Sequence, residues 1–158
     1  MPTLSAGLLL YRRTDAGLEV LIAHMGGPFW AGKDERAWSI PKGEYLLGED
    51  PLGAARREFE EELGQPAPDV DYRLLGEFRQ RSGKVVTVFA AAADLDVTTV
   101  TSNTFPLEWP PRSGRLLEFP EIDEARWVTI ETARAKLVVG QIPALDALAR
   151  LVDEPTGE

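Results

Sequence analysis

GEYLLGEDPLGAARREFEEELGQ, residues Gly43–Gln65, is the stretch that decides how the chain is read. Its second half predicts a helix over Asp50–Gly64. Asp50 suits the N-cap, and Pro51 falls at the first helical position, where a missing N–H costs nothing. Gly64 can take the left-handed conformation that ends a helix, and Pro66 blocks continuation. Leu52, Ala55, Phe59 and Leu63 recur at helical spacing and form a narrow apolar stripe that should face a sheet. Glu58, Glu61 and Glu62 stand at i, i+3 and i+4, so their carboxylates share one face at the edge of that stripe. Like charges at i and i+4 are mildly destabilising, and glutamates late in a helix oppose its dipole. Three such choices in one turn call for a cation, and hard carboxylate oxygens suit Mg²⁺ or Mn²⁺. Taken alone, an acidic face is more often simply solvated, and Glu60, which points away from the others, is read that way.

The spacing of the whole segment tells against solvation alone. Five residues separate Gly43 from Glu49, and seven separate Glu49 from Arg57-Glu58; Phe59, Glu60, Glu61-Glu62, Leu63 and Gly64 follow. This resembles the Nudix box, Gly-x5-Glu-x7-Arg-Glu-(apolar)-x-Glu-Glu-x-Gly-(apolar), over residues 43–65. One position departs, because Gln65 stands where the pattern has an apolar residue. Trp38-Ser39-Ile40-Pro41-Lys42-Gly43 is similar to the lead-in of family members that act on dinucleoside polyphosphates. Glu121, six residues before Trp127, is similar to a loop glutamate that some members contribute. The resemblance implies an α/β fold, a three-layer α/β/α sandwich with a mixed β-sheet, and substrates built as a nucleoside diphosphate linked to another group.

On that resemblance, Gly43 (through its carbonyl), Glu58, Glu61 and Glu62 are expected to bind the metal, Mg²⁺ with Mn²⁺ as a substitute. Arg57 is expected to orient a carboxylate, either Glu61 or Glu49, as a planar fork does better than an ammonium. The general base stays open between Glu61, Glu62 and Glu121. Lys42 is a candidate for phosphate contact. Arg112 and Arg115, with Lys33, lie in loops able to reach a substrate, and Trp109 is the aromatic placed to stack on a base. Trp38 and His24, the one histidine, are read as structural.

The rest of the chain fits one domain, residues 1–158, with neither repeat nor long linker. Leu4–Tyr11 and Leu18–Met25 read as strands about an Arg12–Gly17 turn, and Trp38-Ser39-Ile40 as a short strand. Tyr72–Arg81 and Lys84–Ala93 form a hairpin about Ser82-Gly83. Asp96–Pro120, rich in Thr, Pro and Gly, reads as irregular. Ala125–Thr129 reads as a strand, and Ile130–Leu137 and Pro143–Val152 as helices.

Acidic residues outnumber basic ones 26 to 17, a formal net charge of −9. That balance disfavours a nucleic acid as the main partner and would repel a polyanionic nucleotide unless cations sit in the site. The chain has no cysteine, which suits a reducing cytoplasm and removes thiolate chemistry. Met1–Ser5 does not read as a signal peptide, and no apolar run approaches a membrane span. A soluble protein is therefore expected, and the resemblance implies a monomer or homodimer acting on a small nucleotide. Rival readings are ADP-ribose or nucleotide-sugar hydrolysis, a capped RNA end, and a Nudix-fold sensor that binds a nucleotide without cleaving it.

Overall fold

In the computed structural model, which describes residues 3–153, seven strands form one mixed sheet. The expected domain range, 1–158, extends past these at both ends, and Met1 and Pro2 lie outside the described residues. The first strand, β1 (Leu4–Thr14), lies at the centre. It pairs antiparallel with β2 (Gly17–Met25) and with the short β4 (Lys42–Glu44), and parallel with β6 (Val85–Ala92). Outside these lie β3 (Trp38–Ser39) and β9 (Ile122–Thr129) against β2, and β5 (Arg73–Arg79) against β6.

Alternation along β1 explains why both faces are covered. Ala6, Leu8 and Leu10 pack against helix α1 (Pro51–Leu63), beside its Ala54, Ala55, Phe59 and Leu63. Leu9 points the other way, into the cluster formed with α2 (Ile130–Lys136) and α3 (Ile142–Asp153) through Ala133, Leu145 and Leu148. The result is the α/β/α sandwich with a mixed sheet that the sequence implied. No helix among the described residues is long and apolar enough to cross a membrane.

Helix α1 is built as its sequence predicts. The Asp50 side chain accepts from Gly53 N at 3.0 Å, Pro51 opens the helix, and Gly64 ends it at φ 79° with its N–H donating to the Glu60 carbonyl. Elsewhere the sequence reading needs four corrections. The turn between β1 and β2 is not Arg12–Gly17 but Asp15-Ala16; Thr14 Oγ1 accepts from Ala16 N, and Gly17 takes φ 111°, so pairing continues to the last residues. Lys42–Glu44 is a strand, held by β1 at Ser5–Gly7. The strand expected over Ala125–Thr129 begins earlier, at Ile122.

The largest correction concerns Asp96–Pro120, which is not irregular throughout. It carries a separate two-stranded hairpin, β7 (Thr104–Glu108) and β8 (Leu116–Pro120). Pro106 sits inside β7, and a two-stranded ribbon tolerates it because one edge of each strand has no partner to donate to. That proline and the Thr-rich lead-in hid the alternation.

Candidate active site

The acidic face of α1 looks onto β4, and the fit between them depends on Gly43. A Cβ added there would lie 2.1 Å from both Cδ and Oε2 of Glu58. Gly43 is therefore required for room, so that a carboxylate can rest against the backbone. The neighbouring Lys42 N–H donates to Glu62 Oε1 at 3.2 Å. Two of the three glutamates thus meet two successive residues of one short strand.

Arg57 pairs with Glu49 and, at 3.4 Å, with Glu58. Of the two partners expected for it, Glu49 is the one found. Glu49 also accepts from Leu46 N at 3.1 Å, so a single carboxylate closes the loop before the helix and steadies the guanidinium. Hydrogen bonding from Arg57 holds the Glu49 carboxyl below its ordinary range.

Glu121 reaches the cluster through backbone bonds that the sequence does not advertise. The C-terminal turn of α1 leaves orphan carbonyls, and the segment 101–103 caps them. Asn103 N donates to the Glu61 carbonyl at 2.9 Å and Thr101 N to the Leu63 carbonyl at 3.3 Å. Glu121 N then donates to the Asn103 carbonyl, and Gly26 N to the Glu121 carbonyl, each at 2.9 Å. Just beyond, the register between β2 and β9 shifts at His24/Met25, so Asp123 bulges out and meets His24 Nδ1 at 2.8 Å. Bulges beside sites commonly re-aim side chains, and here the bulge follows directly on Glu121. His24 is buried, with its Nε2 2.6 Å from the Lys33 carbonyl, as a structural residue should be.

Electrostatics carry the mark of crowded carboxylates. Burial pushes the Glu62 carboxyl up to about 8, Lys42 opposing the shift while Glu121 and Glu58 add to it. Burial and then Glu61 raise Glu58, and the same two causes raise Glu121. Burial also lowers the Lys42 ammonium, with Glu62 acting against it. Among the described residues, no three acidic or histidine side chains are gathered tightly enough to chelate one ion as they stand. Glu58 leans on Arg57 and Glu62 on the Lys42 amide, and each of these hydrogen bonds favours the charged carboxylate. The donor set is all oxygen, the cradle at Gly43 is open, and the surplus charge is negative. These residues fit a hard divalent cation.

The remaining expected residues lie apart from this cluster. Trp109, Arg112 and Arg115 sit at the tip of the β7–β8 hairpin, where Trp109 packs edge-on against Phe29 with ring centroids 5.5 Å apart. The hydrogen bonds there are local, such as Arg112 N to Glu108 Oε1 at 3.1 Å. Trp38 is core, as read. Sequence reasoning missed the capping role of Thr101 and Asn103, for which a helix end without a following strand was the only signal.

A family model for the NUDIX domain matches residues 1–148. The chain belongs to the Nudix hydrolase family. Nudix hydrolases generally use divalent metal ions, in keeping with the donor set just described. Among curated relatives, an RNA pyrophosphohydrolase from Rhodospirillum rubrum is 29% identical over 165 residues, spanning 92% of this chain and 88% of that protein. Among solved structures, the C. elegans Ap4A hydrolase in a binary complex superposes with a TM-score of 0.63 at 20% identity, covering 94% of this chain and 97% of that one. The NUDIX domain of Shewanella oneidensis NrtR, complexed with ADP ribose, gives 0.63 at 14% identity, covering 96% and 89%. At these identities the two structures speak for the Nudix fold alone.

Proposed function

We propose that this Nudix hydrolase is a Mg²⁺-dependent pyrophosphohydrolase that cleaves a phosphoanhydride bond in a nucleoside diphosphate linked to another moiety. The substrate class proposed is a dinucleoside polyphosphate or a nucleoside triphosphate. One observation carries the reading: Glu58 rests against Gly43, Glu62 accepts from the Lys42 amide, and Glu121 is tied by backbone to the Glu61 turn, so these glutamates border one place, and Mg²⁺ takes only one or two carboxylates beside substrate oxygens.

Glu58, Glu61, Glu62 and the Gly43 carbonyl would hold the metal, with Mn²⁺ as a substitute. When bound, the ion neutralises phosphate charge and lowers the pKa of an attacking water. Arg57 fixes the orientation of Glu58 and, through Glu49, the loop ahead of the helix. A carboxylate still free to accept a proton, Glu61, Glu62 or Glu121, takes the water's proton as it attacks phosphorus, and the leaving phosphate departs with its bonding electrons. Lys42 supplies a cation to the phosphate chain, in substrate and transition state alike. Trp109, Arg112 and Arg115 contact one end of the substrate from the hairpin. The protein works as a single domain over residues 1–158, in the cytoplasm, as a monomer or homodimer.

A second reading, a 5′-phosphorylated RNA end as substrate, is favoured by one finding, the RNA pyrophosphohydrolase relative. The net charge of −9 weighs against it. The test is a panel of nucleoside triphosphates, diadenosine polyphosphates, ADP-ribose, nucleotide sugars and a 5′-triphosphorylated RNA, with Mg²⁺, Mn²⁺ or EDTA, resolved by anion exchange. Metal-dependent cleavage of a free nucleotide supports the first reading, and cleavage of the RNA alone supports the second. Nucleotide binding without any turnover would leave a sensor instead.

A further inference from the structure

Beyond Lys42, on the face of the sheet away from α1, lies a cavity of about 530 Å³ between the β5–β6 hairpin and the loop 138–141. Its size falls in the range that encloses small ligands. Its charge sets it apart. Lys42, Arg79 and Arg81 line it, and none of its lining residues is acidic. Three other concavities, of about 390 to 410 Å³, each carry at least two acidic residues in their walls. In a chain of net charge −9, such a concentration of cations in one wall, with Glu62 near Lys42 alone, requires an explanation.

The arginines are available. Arg79 and Arg81 are exposed, and neither takes part in an ion pair among the described residues, whereas Arg12, Arg57, Arg126 and Arg134 all do. Arg79 ends β5 and Arg81 lies two residues on, in the turn, which the Gln80 N to Lys84 carbonyl bond closes at 2.7 Å.

The opposite wall is fixed too. A Cβ on Gly140 would come within 2.9 Å of Gln80 Cγ and 3.1 Å of its Cα, so the loop is seated directly on the hairpin. Buried Gln141 anchors it to the lead-in, accepting from Ile40 N at 2.8 Å and donating to Ser39 Oγ at 3.0 Å. Met25 contributes an apolar surface, and Val139 stands 61% exposed at the mouth. An apolar flank beside a fork of cations is what a nucleoside 5′-phosphate requires.

We propose that this cavity receives the nucleoside phosphate portion of the substrate that is not held at the glutamate cluster, with Arg79 and Arg81 on its phosphates and Met25 and Val139 against its base. Lys42 joins the two regions: its amide meets Glu62, and it forms part of the cavity wall. The inference rests on the pyrophosphohydrolase reading, and it goes further by naming where the non-reacting half sits.

The test is steady-state kinetics of the full chain on the panel's best nucleotide substrate, comparing wild type, Arg79→Ala/Arg81→Ala, Val139→Asp, and Arg150→Ala as a control for lost surface charge. The double variant is expected to raise KM about tenfold or more with kcat held within about twofold, as lost uniform binding does. Val139→Asp, adding a like charge near the phosphates, should raise KM as well, and Arg150→Ala should match wild type. All four proteins should share one Tm, since the altered side chains are exposed. Wild-type turnover with unchanged KM in both cavity variants would overturn the inference and leave the catalytic reading intact. An inactive wild type would overturn the catalytic reading and the inference with it.

Discussion

The two sides of Lys42 are opposite in charge and opposite in origin. On one side, Glu58, Glu61 and Glu62 come from a single turn of α1 and meet a single short strand, so one contiguous segment almost builds the acidic face. On the other, the basic cavity is assembled from β2, the lead-in, the β5–β6 hairpin and the loop before α3, segments far apart in sequence. On the proposed function, the acidic face would need a cation before a polyanion could approach, whereas the basic cavity carries its own cations. A phosphate chain would then meet one end that depends on metal and one that does not.

The largest effect should come from removing a carboxylate from the acidic face. Glu62→Gln is expected to lower kcat by about a hundredfold or more at saturating Mg²⁺, on the order expected for lost metal positioning, while Tm stays close to wild type. Wild-type kcat in that variant would remove Glu62 from the metal site.

Gly43→Ala sharpens the comparison, because it attacks the acidic face without touching an acid. The three atoms nearest its added Cβ all belong to the Glu58 side chain, which can swing aside, so folding should suffer little. The displaced carboxylate should cost between about tenfold and a hundredfold in turnover. A large loss of Tm with intact specific activity would mean that the glycine serves packing and not the site.

Lys42→Ala tests the junction. It should raise KM about tenfold with a smaller change in kcat, because a cation shared by both regions binds substrate and transition state alike. An unaltered KM would take Lys42 out of the substrate's path.

The smallest effect concerns pH in the absence of metal. Because burial raises the folded-state Glu62 carboxyl to about 8, its protonated form favours the fold below the ordinary carboxylate range, and that stability is lost as pH rises from about 4.5 through 8. With EDTA present, Tm should therefore fall across that window by a few degrees more in wild type than in Glu62→Gln. Mg²⁺ should reverse the difference at the upper end. Parallel Tm curves for the two proteins would show that the carboxylate is not crowded as described.

These contrasts also explain what was legible in the sequence. Helix α1 was, to its caps, because Asp50, Pro51 and Gly64 act through local backbone geometry. The glutamate cluster and Glu49 were, because helical periodicity and fixed spacing bring them together whatever surrounds them. Which of Glu49 and Glu61 would hold Arg57 was not, since that depends on how the preceding loop folds back. The route by which Glu121 arrives was also hidden: it runs through amides of Thr101 and Asn103, and any residue but proline can supply an amide. The β7–β8 hairpin was concealed by Pro106, and the cavity by dispersal, for nothing local relates Arg79 and Arg81 to Val139 or to Lys42.

The central claim is that a divalent cation converts the acidic face into a site for a polyanion. Calorimetric titration of the wild-type protein with an ATP analogue, methylene groups replacing its anhydride oxygens, tests it without turnover. With Mg²⁺ present, affinity should exceed that in EDTA by about tenfold or more, and Glu62→Gln should lose most of that gain. Equal affinity with and without metal in the wild type would contradict the account.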